Sequence, residues 1–166
     1  SLIFFRCGPP GGFSGPAAKR ATLPITAAPL GMGAAFLAFM PGRMTFEEYF
    51  RLEGQSESEQ LLRFLVGLSP AMLQLRYLVE KGRVNLDGHE GPSSAMACEL
   101  CAGVAGVNAL KILLNRGDVL AVPWGLHFDA YRNRFKRTWR PWGNDNPIQR
   151  MMIAIARRTL AGRLTR

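Results

Sequence analysis

The chain has 166 residues, 48% apolar and 20% charged, with 21 Lys or Arg against 12 Asp or Glu and a formal net charge of +9. That balance excludes an intrinsically disordered chain, and three cysteines exclude a disulfide-framework mini-protein. The length suits one domain that buries roughly two-thirds of the surface of its unfolded chain.

Residues 6–16 carry four glycines and three prolines and read as loop. Lys19 and Arg20 follow the apolar Leu2-Ile3-Phe4-Phe5 instead of preceding a long apolar core, which is the wrong order for a signal peptide. No charge occurs from Ala21 to Gly42, long enough to cross a bilayer, but Pro24, Pro29, Gly31 and Gly33 would break a spanning helix. Two buried strands fit better: Leu23–Ala28, then a turn over 29–33, then Ala34–Met40 closed by Pro41-Gly42. The expectation is a soluble, cytoplasmic protein with no membrane partner. Because it opens on Ser1 and not Met, the chain is read as a fragment or a processed product.

The region 45–82 reads as three short helices. Thr45 with Glu48 is a capping-box pattern ahead of Phe46, Tyr49 and Phe50, and Ser56 with Glu59 repeats it ahead of Leu61, Leu62, Leu65 and Val66. Ser69-Pro70 sets a cap and a first-turn proline before a third helix over 71–81, stopped by Gly82. Residues 83–92 form a loop. A long helix spans about 94–116, with Gly117 as its stop and a small-residue side made of Ala95, Ala102, Gly103, Ala105, Gly106 and Ala109 that suits close approach to a sheet. Residues 118–123 are expected as a strand. Residues 126–130 and 134–139 form an antiparallel hairpin across Tyr131-Arg132-Asn133. After a loop at 141–147, Ile148, Met151, Met152 and Ile155 mark the apolar face of a basic C-terminal helix.

The charge is concentrated at this end. Arg132, Arg134, Lys136, Arg137, Arg140, Arg150, Arg157, Arg158, Arg163 and Arg166 are set against the single acid Asp145, so 131–166 carries the whole net charge and the rest balances. A basic segment of this kind suits nucleic acid, anionic lipid or an acidic protein, or is a solvated face. Tyr131, Phe135, Trp139 and Trp142 interleave the arginines, a mix suited to base stacking and phosphate contact.

Other chemistry is sparse. Cys98 and Cys101 form a C-x-x-C, half of a thiolate metal site or a redox pair, but inside a small-residue helix they read as packing. Cys7 sits in the Gly/Pro loop. His89, beside Glu90, is a loop histidine or a base oriented by its neighbour, and His127 is expected on the surface of a strand. No G-x-G-x-x-G, P-loop or G-x-S-x-G occurs. No residue is therefore assigned to catalysis, to a cofactor or to a metal.

Several segments together resemble one family. A-G-V-A-G-V-N-A-L-K-I-L-L-N-R-G (102–117), L-P-I-T-A-A-P-L-G-M-G (23–33), A-A-F-L-A-F-M-P-G (34–42) and G-L-H-F-D-A-Y-R-N-R-F-K-R-T-W (125–139) follow the order seen in the ThiF/MoeB/ubiquitin-activating superfamily. Its members adenylate the C-terminal glycine of a ubiquitin-like or sulfur-carrier protein. The resemblance covers only the C-terminal half of such a domain. It implies an α/β fold: residues 1–146 as a partial Rossmann-like ThiF-type domain with a helical insertion at about 45–82 and a late β-hairpin, and 147–166 as a basic helix. It implies ATP and magnesium for the whole enzyme, a carrier-protein partner and a possible homodimer. This chain departs from the pattern at the metal-holding acid, where it has Ile3, and at both C-x-x-C pairs of the family's structural zinc, where it has M-T-F-E-E-Y-F after Gly42 and G-N-D-N-P at 143–147. The chain alone is expected to be inactive and without cofactor. The rival expectation is a basic nucleic-acid or protein-binding module working through 131–166.

Overall fold

A computed structural model describes residues 3–5, 25–69, 71–77 and 93–164; of 3–5 and 160–164 only the backbone is described. The loops expected at 6–16 and 83–92, with Cys7 and His89, lie outside the described residues, as does the end of the third helix expected at 71–81.

The uncharged stretch folds as a hairpin. β2 (Ile25–Leu30) and β3 (Gly33–Ala38) pair antiparallel through Pro29↔Ala34 and Leu30↔Gly33, so the expected five-residue turn shrinks to Gly31-Met32. Gly31 takes φ +62°, and a side chain there would meet the Tyr77 hydroxyl. β1 (Ile3–Phe5) adds on one side of the pair, with Ile3 opposite Ala27. On the other side come β4 (Trp124–Asp129) and β5 (Arg134–Trp139), the expected hairpin. The result is a five-stranded meander, β1-β2-β3-β4-β5, antiparallel throughout. The strand expected at 118–123 does not form. Val122 N–H donates to the Ala38 carbonyl, but Pro123 has no N–H to extend the ladder, and the segment is irregular.

The two faces of the sheet are covered differently. One packs Ala28, Ala35, Leu37 and Phe39 against α1 (Phe46–Phe50) and α2 (Glu57–Leu68), around a run of rings in which Phe46–Phe50 and Phe50–Phe64 centroids are 4.7 and 4.9 Å apart. The Thr45–Glu48 capping box is present. The second one is not: Ser56 caps α2 by position without a side-chain bond, and Glu59 instead binds Arg63 at 2.8 Å and Arg157 at 2.6 Å. Among the described residues of the third helix there is one 3-10 turn, Leu73–Arg76, entered through Met72 in a left-handed conformation. The chain there is held instead by the Tyr77 hydroxyl, which accepts from Met32 N–H at 2.8 Å.

The opposite face of β2 and β3 receives α3 (Ala95–Leu113), capped by Ser94, whose hydroxyl accepts from Ala97 N–H. The face that docks is Ala97, Cys101, Ala105 and Asn108, one residue every turn. Of the expected packing side Ala105 and Ala109 do meet the sheet, but Ala102 and Gly103 are exposed, and nothing lies within 4 Å of a Cβ built at Gly103 or Gly106. By length and composition α3 could cross a membrane, at mean hydropathy 1.5, yet here it lies along the sheet.

α4 (Pro147–Leu164) packs on α2, with Ile153, Met152 and Ala156 against Leu62 and Val66. Gln149 is fully buried beside them and donates to the Val66 carbonyl at 3.2 Å. The buried side is thus rotated from the one expected. Ile148, Met151 and Ile155 are each half or more exposed. A short 3-10 turn, Gly143–Asp145, ties α4 to α1 and α2: Asn144 Nδ2 donates to the carbonyls of Phe50 (2.9 Å) and Arg63 (3.0 Å).

Candidate functional site

Strand alternation sorts the β4–β5 hairpin into two faces. Trp124, Leu126, Phe128, Phe135, Arg137 and Trp139 share the face on which α3 lies, because Phe128 is opposite Ala34 and Leu126 opposite Phe36. α3 lies over β2 and β3, so β5 is left beyond its cover. Phe135 is 57% exposed, Trp139 55% and Trp124 39%. The Trp124 and Trp139 ring centroids are 6.4 Å apart, and the Arg137 guanidinium carbon stands 5.9 Å from the centre of the Phe135 ring. Arg134 and Lys136 leave from the other face of the same edge strand, both exposed.

The basic segment therefore splits. Arg132, Arg134, Lys136, Arg137 and Arg140 belong to the hairpin and its ends, while Arg150, Arg157 and Arg158 belong to α4. Arg157 is bound to Glu59, which holds the Glu59 carboxyl below its ordinary range. The one acid of the segment, Asp145, is spent on Arg51 at 2.8 Å. Trp142 is 65% exposed and takes φ +65°, a conformation a bulky residue seldom adopts. It borders a cleft of about 520 Å³ with Arg43, Glu48, Arg51 and Asp145.

A second grouping lies on the opposite face of β4. His127, expected on the surface, is 1% exposed, because it shares its face with Ala35 and lies under Ser69, at the end of α2, and the 3-10 turn after it. Its Nδ1 is 3.2 Å from the Ser69 hydroxyl, which also reaches Gln74. Asp129, two residues on, is buried and accepts from Arg132 N–H. Burial pushes the His127 ring down to about 4, against the opposing pull of Asp129. The Tyr77 hydroxyl is pushed up by burial and by the nearby Asp129 carboxylate. Ser, His and Asp are the residue types of nucleophilic catalysis, but Ser69 at 2% exposure offers no surface to a substrate. The cluster is a core polar network. Only the i, i+2 spacing of His127 and Asp129 on a strand could have placed them together.

Cys101 is buried against the sheet, where burial raises its thiol to about 11, and Cys98 is exposed. Among the described residues no group of three or more His, Cys, Asp or Glu could hold a metal ion. Comparison with models of known protein families, with curated proteins and with solved structures gives no match in any of the three.

Proposed function

We propose that this chain is the carrier-facing, C-terminal part of a ThiF-type adenylyltransferase domain, and that it does not catalyse adenylation by itself. One observation supports the reading above the others. The segments that resemble the superfamily are scattered from residue 2 to residue 139, yet β1, β2–β3, α3 and β4–β5 form one continuous sheet with one helix on it. In this reading α1 and α2, which fall between β3 and α3 in the chain, are the helical insertion. This reading takes the partial Rossmann-like character of residues 1–146 from the resemblance, since the strands themselves run antiparallel throughout.

The residues present do not fit the family's own cofactors. Ile3 offers no oxygen for a magnesium ion, and no C-x-x-C follows Gly42 or occupies 143–147. No step through ATP, magnesium or zinc is therefore assigned to these residues. What the chain supplies is a surface for the carrier protein.

The test pairs two measurements. Titration calorimetry with a ubiquitin-fold sulfur carrier ending in Gly-Gly should show saturable binding that weakens when the tail is removed. Carrier-dependent ATP–pyrophosphate exchange by the chain alone should be absent. No carrier binding would overturn the reading, and exchange by the chain alone would overturn its incompleteness.

A further inference from the structure

The open half of the sheet carries a second inference that does not use the adenylyltransferase reading. The geometry points to the β5 face as a stacking platform for single-stranded nucleic acid, with Phe135 and Trp139 as base-stacking rings and Arg137 as the phosphate or base contact between them.

Three observations converge. The first is spacing. Phe135, Arg137 and Trp139 alternate along one strand, so the backbone positions that carry the two rings are about 13 Å apart with Arg137 between them, room for about three consecutive nucleotides. The second is what the rings are doing. Phe135 and Trp139 are both more than half exposed on a strand at the sheet edge, and α3, which covers β2 and β3, does not cover them. Large rings left on an open, regular surface fit a flat, sequence-tolerant partner better than a shaped pocket does.

The third is charge, and it selects the occupant. From Trp124 to Arg140 the single carboxylate is Asp129, which is buried and points to the opposite face, while Arg132, Arg134, Lys136, Arg137 and Arg140 are all cationic. Arg137 stands on the ring face, and Arg134 and Lys136 leave from the back of the same edge strand, so the hairpin's own charge at this edge is of one sign. A polyanion whose repeating unit carries both a negative group and a π-face matches it; an acidic peptide supplies the charge without the rings. Arg137 already stacks near Phe135, the arrangement in which a guanidinium can share a ring or a base face. The α4 arginines are a different surface. They have no ring between them at this spacing, and Arg157 is tied to Glu59.

DNA and RNA share this chemistry. Fluorescence anisotropy of the full chain with labelled oligo-dT and oligo-U, across a salt series, separates them and tests the platform. Saturable binding that falls with salt is expected. Trp139→Ala and Phe135→Ala should each weaken it by about ten-fold or more. Trp139→Tyr, which keeps a ring, should restore most of the affinity. Arg137→Gln should lower the slope of log K against log salt by about 0.7. Circular dichroism of each variant should match the parent, since both rings are exposed. Affinity unchanged by either ring substitution would overturn the proposal, and so would its abolition by Arg150→Gln with Arg158→Gln. Binding to phosphatidylserine vesicles that depends on the same rings, with no oligonucleotide binding, would assign the surface to a membrane and overturn it as well.

Discussion

At the scale of single residues, His127 couples the fold to pH. Its ring is buried and neutral, and its folded value of about 4 lies below the ordinary 6.5. A depressed value means that the unfolded chain binds the proton more readily. The stabilisation is therefore fully present above about pH 6.5 and is lost as pH falls toward 4, to a limit of about 3 kcal/mol. The charged and polar groups nearest the ring are Asp129 on its own strand, Ser69 at the end of α2, and Lys136 opposite it on β5. Asp129 opposes burial but does not overcome it. Urea unfolding at pH 7 and at pH 4.5 checks this: His127→Gln should lose less stability between the two than the parent chain does. An equal loss in both would show that carboxylates elsewhere carry the acid sensitivity. The sequence concealed this residue because a histidine on an alternating strand reads as the outward member of the pattern. Here both faces of the sheet are covered where β4 meets β3, so outward and inward lose their meaning.

At the scale of elements, composition located the helices but not their rotation. α3 is apolar or small on nearly every side, so nothing in its pattern distinguishes Ala97-Cys101-Ala105 from Ala102-Gly103-Gly106 as the docking face. The same ambiguity misled the reading of α4. Its buried side contains Gln149, a polar residue that only a specific acceptor, the Val66 carbonyl, makes tolerable inside. Arg157 reaches Glu59 across the α2–α4 contact in that rotation, a pair whose exposed arginine leaves it a small contribution. The strand pairings were more legible, because Gly31 and Asn133 mark tight turns and adjacent strands in a meander pair in sequence order. The assigned face of α3 can be tested by overpacking. Ala105→Leu pushes a larger side chain against β2 and β3 and should destabilise by about 1–3 kcal/mol, while Ala102→Leu, on the exposed side, should change stability by less than about 0.5 kcal/mol. Thermal unfolding of the two variants decides it, and the reverse order would put the outer face of α3 against the sheet.

At the scale of the whole molecule, two opposing quantities meet. The outer side of α3 exposes Met96, Val107, Leu110, Leu113 and Leu114, and α4 exposes Ile148, Met151 and Ile155. Surfaces of that kind favour association between copies. The net charge of +9 works against it, because every copy repels every other. Salt decides which wins. Screening shortens the reach of the repulsion from about 10 Å at 0.1 M to about 3 Å at 1 M, and it leaves the apolar attraction in place. Sedimentation velocity should therefore find self-association rising with salt, opposite in sign to the salt dependence expected of nucleic-acid binding on β5. Leu110→Gln with Leu113→Gln, which leaves the charge unchanged, should reduce the associated fraction at 1 M salt. A fraction that falls with salt would mean that the copies are held by ion pairs. The basic hairpin and α4, and not the apolar side of α3, would then be where they meet.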